Sequence, residues 1–179
     1  MKKPDCKNLA LVGKGGRGTI YGLGGNRCIK VCKKTKDMQK ECRVLKLAKG
    51  CSQFPVVCEC KGKYMIREYI HGQKFKDYIA ENGISDDLAE ELTQLIKTFI
   101  KLKFKRIDVR MQEVFITKDH KLKIIDTTRY LEKKASYPFK MLKKLKNYGC
   151  KEQYMIFLKE NYPEFYATWN KEQANSPRS

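Results

Sequence analysis

No stretch of this sequence approaches the roughly 20 uninterrupted apolar residues that a membrane-spanning helix needs, and Met1-Lys2-Lys3-Pro4-Asp5 leads into no apolar signal core. A soluble, cytoplasmic chain with no transmembrane segment is the expectation. Acidic residues are scarce: 20 Asp and Glu stand against 39 Lys and Arg, for a formal charge of +19. A field of that sign favours acidic partners such as nucleotides, nucleic acid or anionic membrane, without choosing among them. Only two histidines occur, His71 and His120, both in turns and neither near a Ser or Cys constellation, so both are read as surface residues. The eight cysteines form no paired C-x2-C knuckles beside histidine, which argues against zinc. With ample core material and no export signal, free thiols are expected. What is present is 41% hydrophobic residues in 179, enough for one compact domain or two small lobes sharing an interface.

Short apolar or β-branched runs at 9–12, 19–21 and 27–32, separated by glycine clusters, predict three antiparallel strands. The apolar spacing then lengthens into a helix over 36–49, ended by Gly50. Segments 56–60 and 64–69, joined by Lys61-Gly62-Lys63, predict a further hairpin. After Gly72 the composition turns helical. A short helix at 75–81 is followed by a longer one, capped by Ser85 with Asp86 and Asp87 and running to about Phe104. Short strands at 114–117 and 122–125 flank a polar turn, helical patterning returns at 138–148 and 151–160, and 174–179 reads as a frayed tail. The expected class is α+β: residues 1–71 form a small antiparallel sheet with one helix, and 72–179 are mainly helical.

Gly13-Lys14-Gly15-Gly16-Arg17-Gly18 fits G-x-G-x-x-G, a pattern shared by dinucleotide folds, kinases and ordinary turns. A dinucleotide loop must open a helix, whereas Thr19-Ile20-Tyr21-Gly22 is β-branched, aromatic and then broken by glycine; a Walker A loop needs Lys where Thr19 stands. A strand, a glycine loop and a strand, followed by a strand bearing Lys30, instead form a phosphate clamp in which glycines let backbone N–H groups approach the phosphates. On residue type alone Lys30 is equally an ordinary strand lysine, and Glu41 a solvated acid. Their order and offset carry the reading: Glu41, in Glu-x-x-x-Leu spacing with Leu45, is placed to hold the Lys30 ammonium.

With the glycine loop, Lys30, Glu41 and the hinge-like Met65-Ile66-Arg67-Glu68-Tyr69-Ile70-His71-Gly72 in order, residues 9–130 resemble the protein kinase superfamily, closest to short bacterial Ser/Thr kinase-like proteins. The resemblance implies a kinase-like fold with a truncated helical C-lobe, ATP with Mg²⁺ or Mn²⁺, and a protein or small-molecule phosphoacceptor. Gly13, Gly15, Gly16 and Gly18 would cradle phosphates, Ile20 would roof the base, Cys28 would touch it, Phe115 would floor it, and Glu68 would lie in the hinge. Aligned on the catalytic loop, Arg106-Ile107-Asp108 implies Asp108 as the carboxylate that orients or deprotonates a hydroxyl, with Arg110 neutralising charge on the transferred phosphoryl. Asp126, after an apolar strand, takes the metal-binding aspartate's place, and Glu113 replaces the second metal ligand, usually Asn.

The departures matter. Arg106 and Thr127 replace the His and Phe that couple the lobes, Ile107 replaces the Arg that grips a phosphorylated loop, and no Ala-Pro-Glu follows. These changes leave a pseudokinase, a nucleotide- or polyanion-binding module without turnover, as the alternative to an enzyme. Segment 129–159 carries nine Lys and Arg against Glu132 and Glu152, a basic face suited to weak nucleic-acid or other polyanion binding, or simply a solvated helix.

Overall fold

The computed structural model describes residues 6–175. Five strands, β1 (Leu11–Lys14), β2 (Gly18–Gly24), β3 (Arg27–Cys32), β4 (Val57–Lys61) and β5 (Tyr64–Glu68), form an antiparallel sheet in the order β1-β2-β3-β5-β4. The turn between β2 and β3 is tight because Gly24, Gly25 and Asn26 all take positive φ (74°, 54° and 56°), a region costly for most side chains. Gly62 does the same for the β4–β5 hairpin at φ 53°. Helix α1 (Thr35–Leu47) packs Met38, Val44 and Leu45 on this sheet.

Next come β6 (Gln73–Lys74), α2 (Phe75–Asn82), α3 (Asp86–Lys101), a 3₁₀ turn (Met111–Glu113), β7 (Val114–Ile116), β8 (Leu122–Ile124), α4 (Phe139–Asn147), α5 (Lys151–Asn161) and α6 (Pro163–Asn175). The class is therefore α+β, with six helices among the described residues. Helix α3 is the central post. Ser85 caps it by accepting from the Leu88 N–H, and Asp86 and Asp87 sit at its positive end. Leu88, Leu92, Leu95, Ile96 and Phe99 form its buried stripe, each such side chain contributing about 1.5–3 kcal/mol on removal from water.

Three differences from the sequence expectation have physical causes. α3 stops at Lys101 rather than near Phe104, because Lys103 takes φ 54° and folds Phe104 back onto Phe99, ring centroids 5.3 Å apart. Cys42 of α1 and Cys60 of β4 form a disulfide, correcting the free-thiol expectation at these two positions. Packing of α1 against β4 joins cysteines 18 residues apart, which their spacing did not disclose. α6 was not anticipated; it is anchored by Trp169, buried and stacked on Phe165 at 5.2 Å. Residues 174 and 175 of the expected tail close this helix, while 1–5 and 176–179 lie outside the described residues.

Gly72 precedes β6, where a Cβ would collide with the Ile116 carbonyl. Gly72→Ala is expected to lower the unfolding free energy by about 1–3 kcal/mol, the usual cost of overpacking, read as a lower denaturation midpoint at unchanged m-value.

Candidate nucleotide-binding site

A cleft of about 710 Å³ opens between the β1–β2 hairpin and the segment 110–126. That volume suits a mononucleotide-sized ligand. The structure brings most of the expected residues into its lining: Gly13, Gly15, Gly16 and Gly18 from the hairpin, Ile20 and Cys28 and Lys30 from β2 and β3, and Arg110, Glu113, Phe115 and Asp126 from the facing segment. Behind the lining, Lys30 Nζ donates to Glu41 Oε2 at 2.5 Å, both side chains buried. β3 and α1 thus hold one ammonium at a fixed point beneath the glycine hairpin.

The hairpin glycines divide into two kinds. Gly18 is needed by the fold, since a Cβ there would collide with the Val31 carbonyl. At Gly15 and Gly16 a Cβ would meet nothing within 4 Å, and neither has a positive φ. Nothing in the folded chain requires glycine at those two positions.

Two carboxylates line the same cleft. Asp126 Oδ2 accepts from Arg17 Nη1 at 2.7 Å, and Oδ1 accepts from the Thr128 hydroxyl at 3.0 Å. Burial pushes its carboxyl up, but Lys30, Arg17 and the Thr128 bonds outweigh it and hold the pKa below the usual value. Glu113 Oε1 accepts from Arg110 at 2.8 Å and Oε2 from the Tyr130 hydroxyl at 3.3 Å. Here burial wins, helped by the charge of Asp126, and the pKa rises to about 7. Between its ordinary 4.5 and that value the folded state carries a proton the unfolded state has lost. Stability therefore falls as pH climbs through this window. Relative to Glu113→Gln, which cannot titrate, the apo wild type should lose thermal midpoint between pH 5 and pH 8; parallel profiles would show that Glu113 stays charged throughout.

Two expected residues stand elsewhere. Asp108 does not line the cleft; at 3% exposure its Oδ2 accepts from Arg106 Nη2 at 2.6 Å and its Oδ1 from the Met141 N–H, at the start of α4. The side chain of Glu68 turns away to Lys123 Nζ (2.6 Å) and the Val56 N–H (3.1 Å), and only its neighbours Arg67, Tyr69 and Ile70 line the cleft. Burial pushes the Cys28 thiol pKa up, and its Sγ donates to the Glu68 carbonyl at 3.7 Å. His71 and His120 are both exposed.

Sequence reasoning missed Arg17 and Arg67 as site residues. Arg17 was signalled by being the one arginine inside the glycine loop. Arg67 was signalled by a cation in an apolar interior strand, Met65-Ile66-Arg67, whose alternation places it on the Lys30 side of the sheet.

No protein-family model matches the chain. Among curated proteins it is similar to "Putative serine/threonine-protein kinase YrzF" of Bacillus subtilis (strain 168), at 22% identity over 139 residues. The match covers 74% of this chain and 65% of the relative's length, so the chain spans under two thirds of the protein it resembles. This distant similarity supports a kinase-like relationship, and the α+β architecture is compatible with a kinase-like fold. Among the described residues no helix is long and apolar enough to cross a membrane.

Proposed function

We propose that the chain is a kinase-type phosphotransferase that binds a nucleoside triphosphate, by resemblance ATP, in the cleft between lobes 1–71 and 72–179. One observation carries this reading: a buried lysine, held by a buried glutamate, lies beneath a glycine hairpin whose Gly15 and Gly16 answer no need of the protein itself. The Gly15 N–H closes the hairpin on the Gly18 carbonyl at 2.9 Å, and the lack of side chains at both positions would let phosphate oxygens approach the backbone closely. Lys30 would pair with those phosphates, Arg110 would offset charge on the transferred group, and Ile20, Cys28 and Phe115 would hold the base. A hydroxyl of a protein or small molecule would be the acceptor.

The donor chemistry fits a hard divalent cation, which takes one or two carboxylates and completes its shell with phosphate and water. Asp126 and Glu113 would hold it. The bound cation would neutralise negative charge on the phosphates. Arg17 and Arg110 occupy the same carboxylates, so cation and arginines compete for them. Glu113→Asn removes one acid from the pair and should relax the metal requirement for nucleotide binding.

Beyond the cleft, Arg110 also borders a hollow of about 300 Å³ with Lys140, Lys143 and Lys144. This exposed basic face of α4 would draw polyanions weakly and without sequence preference.

The test is incubation with millimolar γ-labelled ATP and Mg²⁺ or Mn²⁺, following autophosphorylation and phosphate release. Wild type should transfer label and Asp126→Ala should lose at least about 100-fold, the scale expected when a key electrostatic group of a catalytic centre is removed. Nucleotide binding without transfer in wild type would make this a binding module, and no nucleotide binding would overturn the reading.

A further inference from the structure

Arg67 is the side chain whose burial the fold explains least. It lies on β5, an interior strand, and is 3% exposed. Among the described residues no carboxylate pairs with it. Nη2 donates to the Ile125 carbonyl at 3.2 Å, while Nε and Nη1 are buried with no partner. Idle donors on a buried charge are costly unless something brings acceptors to them. Arg67 lines the cleft, so a turn of its guanidinium, whose idle nitrogens are covered where they stand, would bring them to a ligand's acceptors.

Strand register fixes which part of a ligand. In the β3–β5 ladder Met65 opposes Lys30 and Arg67 opposes Cys28. Directly opposed residues share a face, so Arg67 stands one side-chain step beyond Lys30, towards Tyr69 and Ile70. With phosphates at Lys30 and the glycine hairpin, the group that reaches Arg67 is the base.

Purine edges differ in what they offer there. Guanine presents two adjacent acceptors, O6 and N7, whereas adenine presents N7 and an N6 amino donor. A guanidinium pairs with the first edge and meets the second donor to donor. We infer that the cleft selects a guanine nucleotide over an adenine one, with Arg67 as the residue that sets the preference. This rests on the reading of the cleft as a nucleoside triphosphate site and replaces the base that the resemblance implies.

The experiment is calorimetric titration of the full chain with GTP, ITP and ATP, each with Mg²⁺. ITP keeps O6 and N7 but lacks the 2-amino group, so it isolates the edge that Arg67 reads. GTP and ITP should each bind about 5- to 150-fold more tightly than ATP, the range of discrimination typical of one bidentate pair. Arg67→Gln, which offers one acceptor and one donor suited to adenine, should shift the preference towards ATP by a similar factor. Wild type binding ATP as tightly as GTP and ITP would overturn the inference while leaving the nucleotide site standing. If none of the three binds, the site reading fails and the inference with it.

Discussion

Replacing Lys30 by methionine should lower the unfolding free energy by about 3–5 kcal/mol, the cost of breaking a buried ion pair from one side. Glu41 is 1% exposed, and its Oε1 already has no partner. The Lys30 ammonium is the hydrogen-bond donor to the other oxygen, at 2.5 Å. Removing it strands a carboxylate between α1 and the sheet, where water cannot solvate it. A charge-free pair restores the balance, so Lys30→Met with Glu41→Gln should recover most of the loss. Equilibrium urea unfolding of the four proteins reads the coupling directly. If the single variant lost less than about 1 kcal/mol, on the scale of an exposed ion pair, Glu41 would be reaching solvent and the ammonium beneath the glycine hairpin would not be fixed by a buried pair. The same variant removes the charge that draws phosphates, so nucleotide binding should weaken even in the folded fraction.

Most of the sheet was legible because its determinants are local: alternating apolar residues, glycine-rich turns and a lysine at a fixed offset from a loop. The Lys30–Glu41 pair was legible for a related reason, since Asp37 and Glu41 are the only acids between Arg27 and Lys49. What escaped depends on where distant chain returns. Cys60 meets Cys42 only because β4 lies under α1. Asp108 reads as an open-loop acid until residues 127–138 loop back, pair Ala135 with Ile107 and deliver the first turn of α4 to its carboxylate. Arg17 and Arg67 were masked by composition despite their positions. In a chain with 39 basic residues, residue type alone does not separate Arg17 or Arg67 from surface charge.

Asp108 carries the second large effect, and its two readings separate cleanly. As a catalytic carboxylate, implied by resemblance, it would be dispensable for folding, and Asp108→Ala would lower transfer while leaving stability unchanged. The geometry points to another dependence. Arg106, itself 6% exposed, gives Nη2 to Asp108 Oδ2 at 2.6 Å and Nε to the Asp108 carbonyl at 3.0 Å. The Met141 N–H, one of the groups left without an intrahelical acceptor at the start of α4, gives to Oδ1 at 3.1 Å. Burial raises the Asp108 pKa, with the Met141 bond and Arg106 pulling the other way. Alanine at this position leaves a buried guanidinium unmatched and a helix end without its acceptor. The expected loss is about 3–5 kcal/mol from the broken pair. Asp108→Asn keeps an acceptor for Met141 and should fall less, while Arg106→Met with Asp108→Ala should regain part of the loss because no buried charge is left alone. Because Asp108 does not line the cleft, nucleotide affinity per folded molecule should stay within about twofold, a difference under 0.5 kcal/mol. Unfolding curves paired with the labelled-nucleotide transfer assay decide the matter: full stability with transfer abolished in Asp108→Ala would return Asp108 to the reacting atoms, and a parallel loss of stability and transfer would assign it to holding α4 against the loop that bears Arg110 and Glu113.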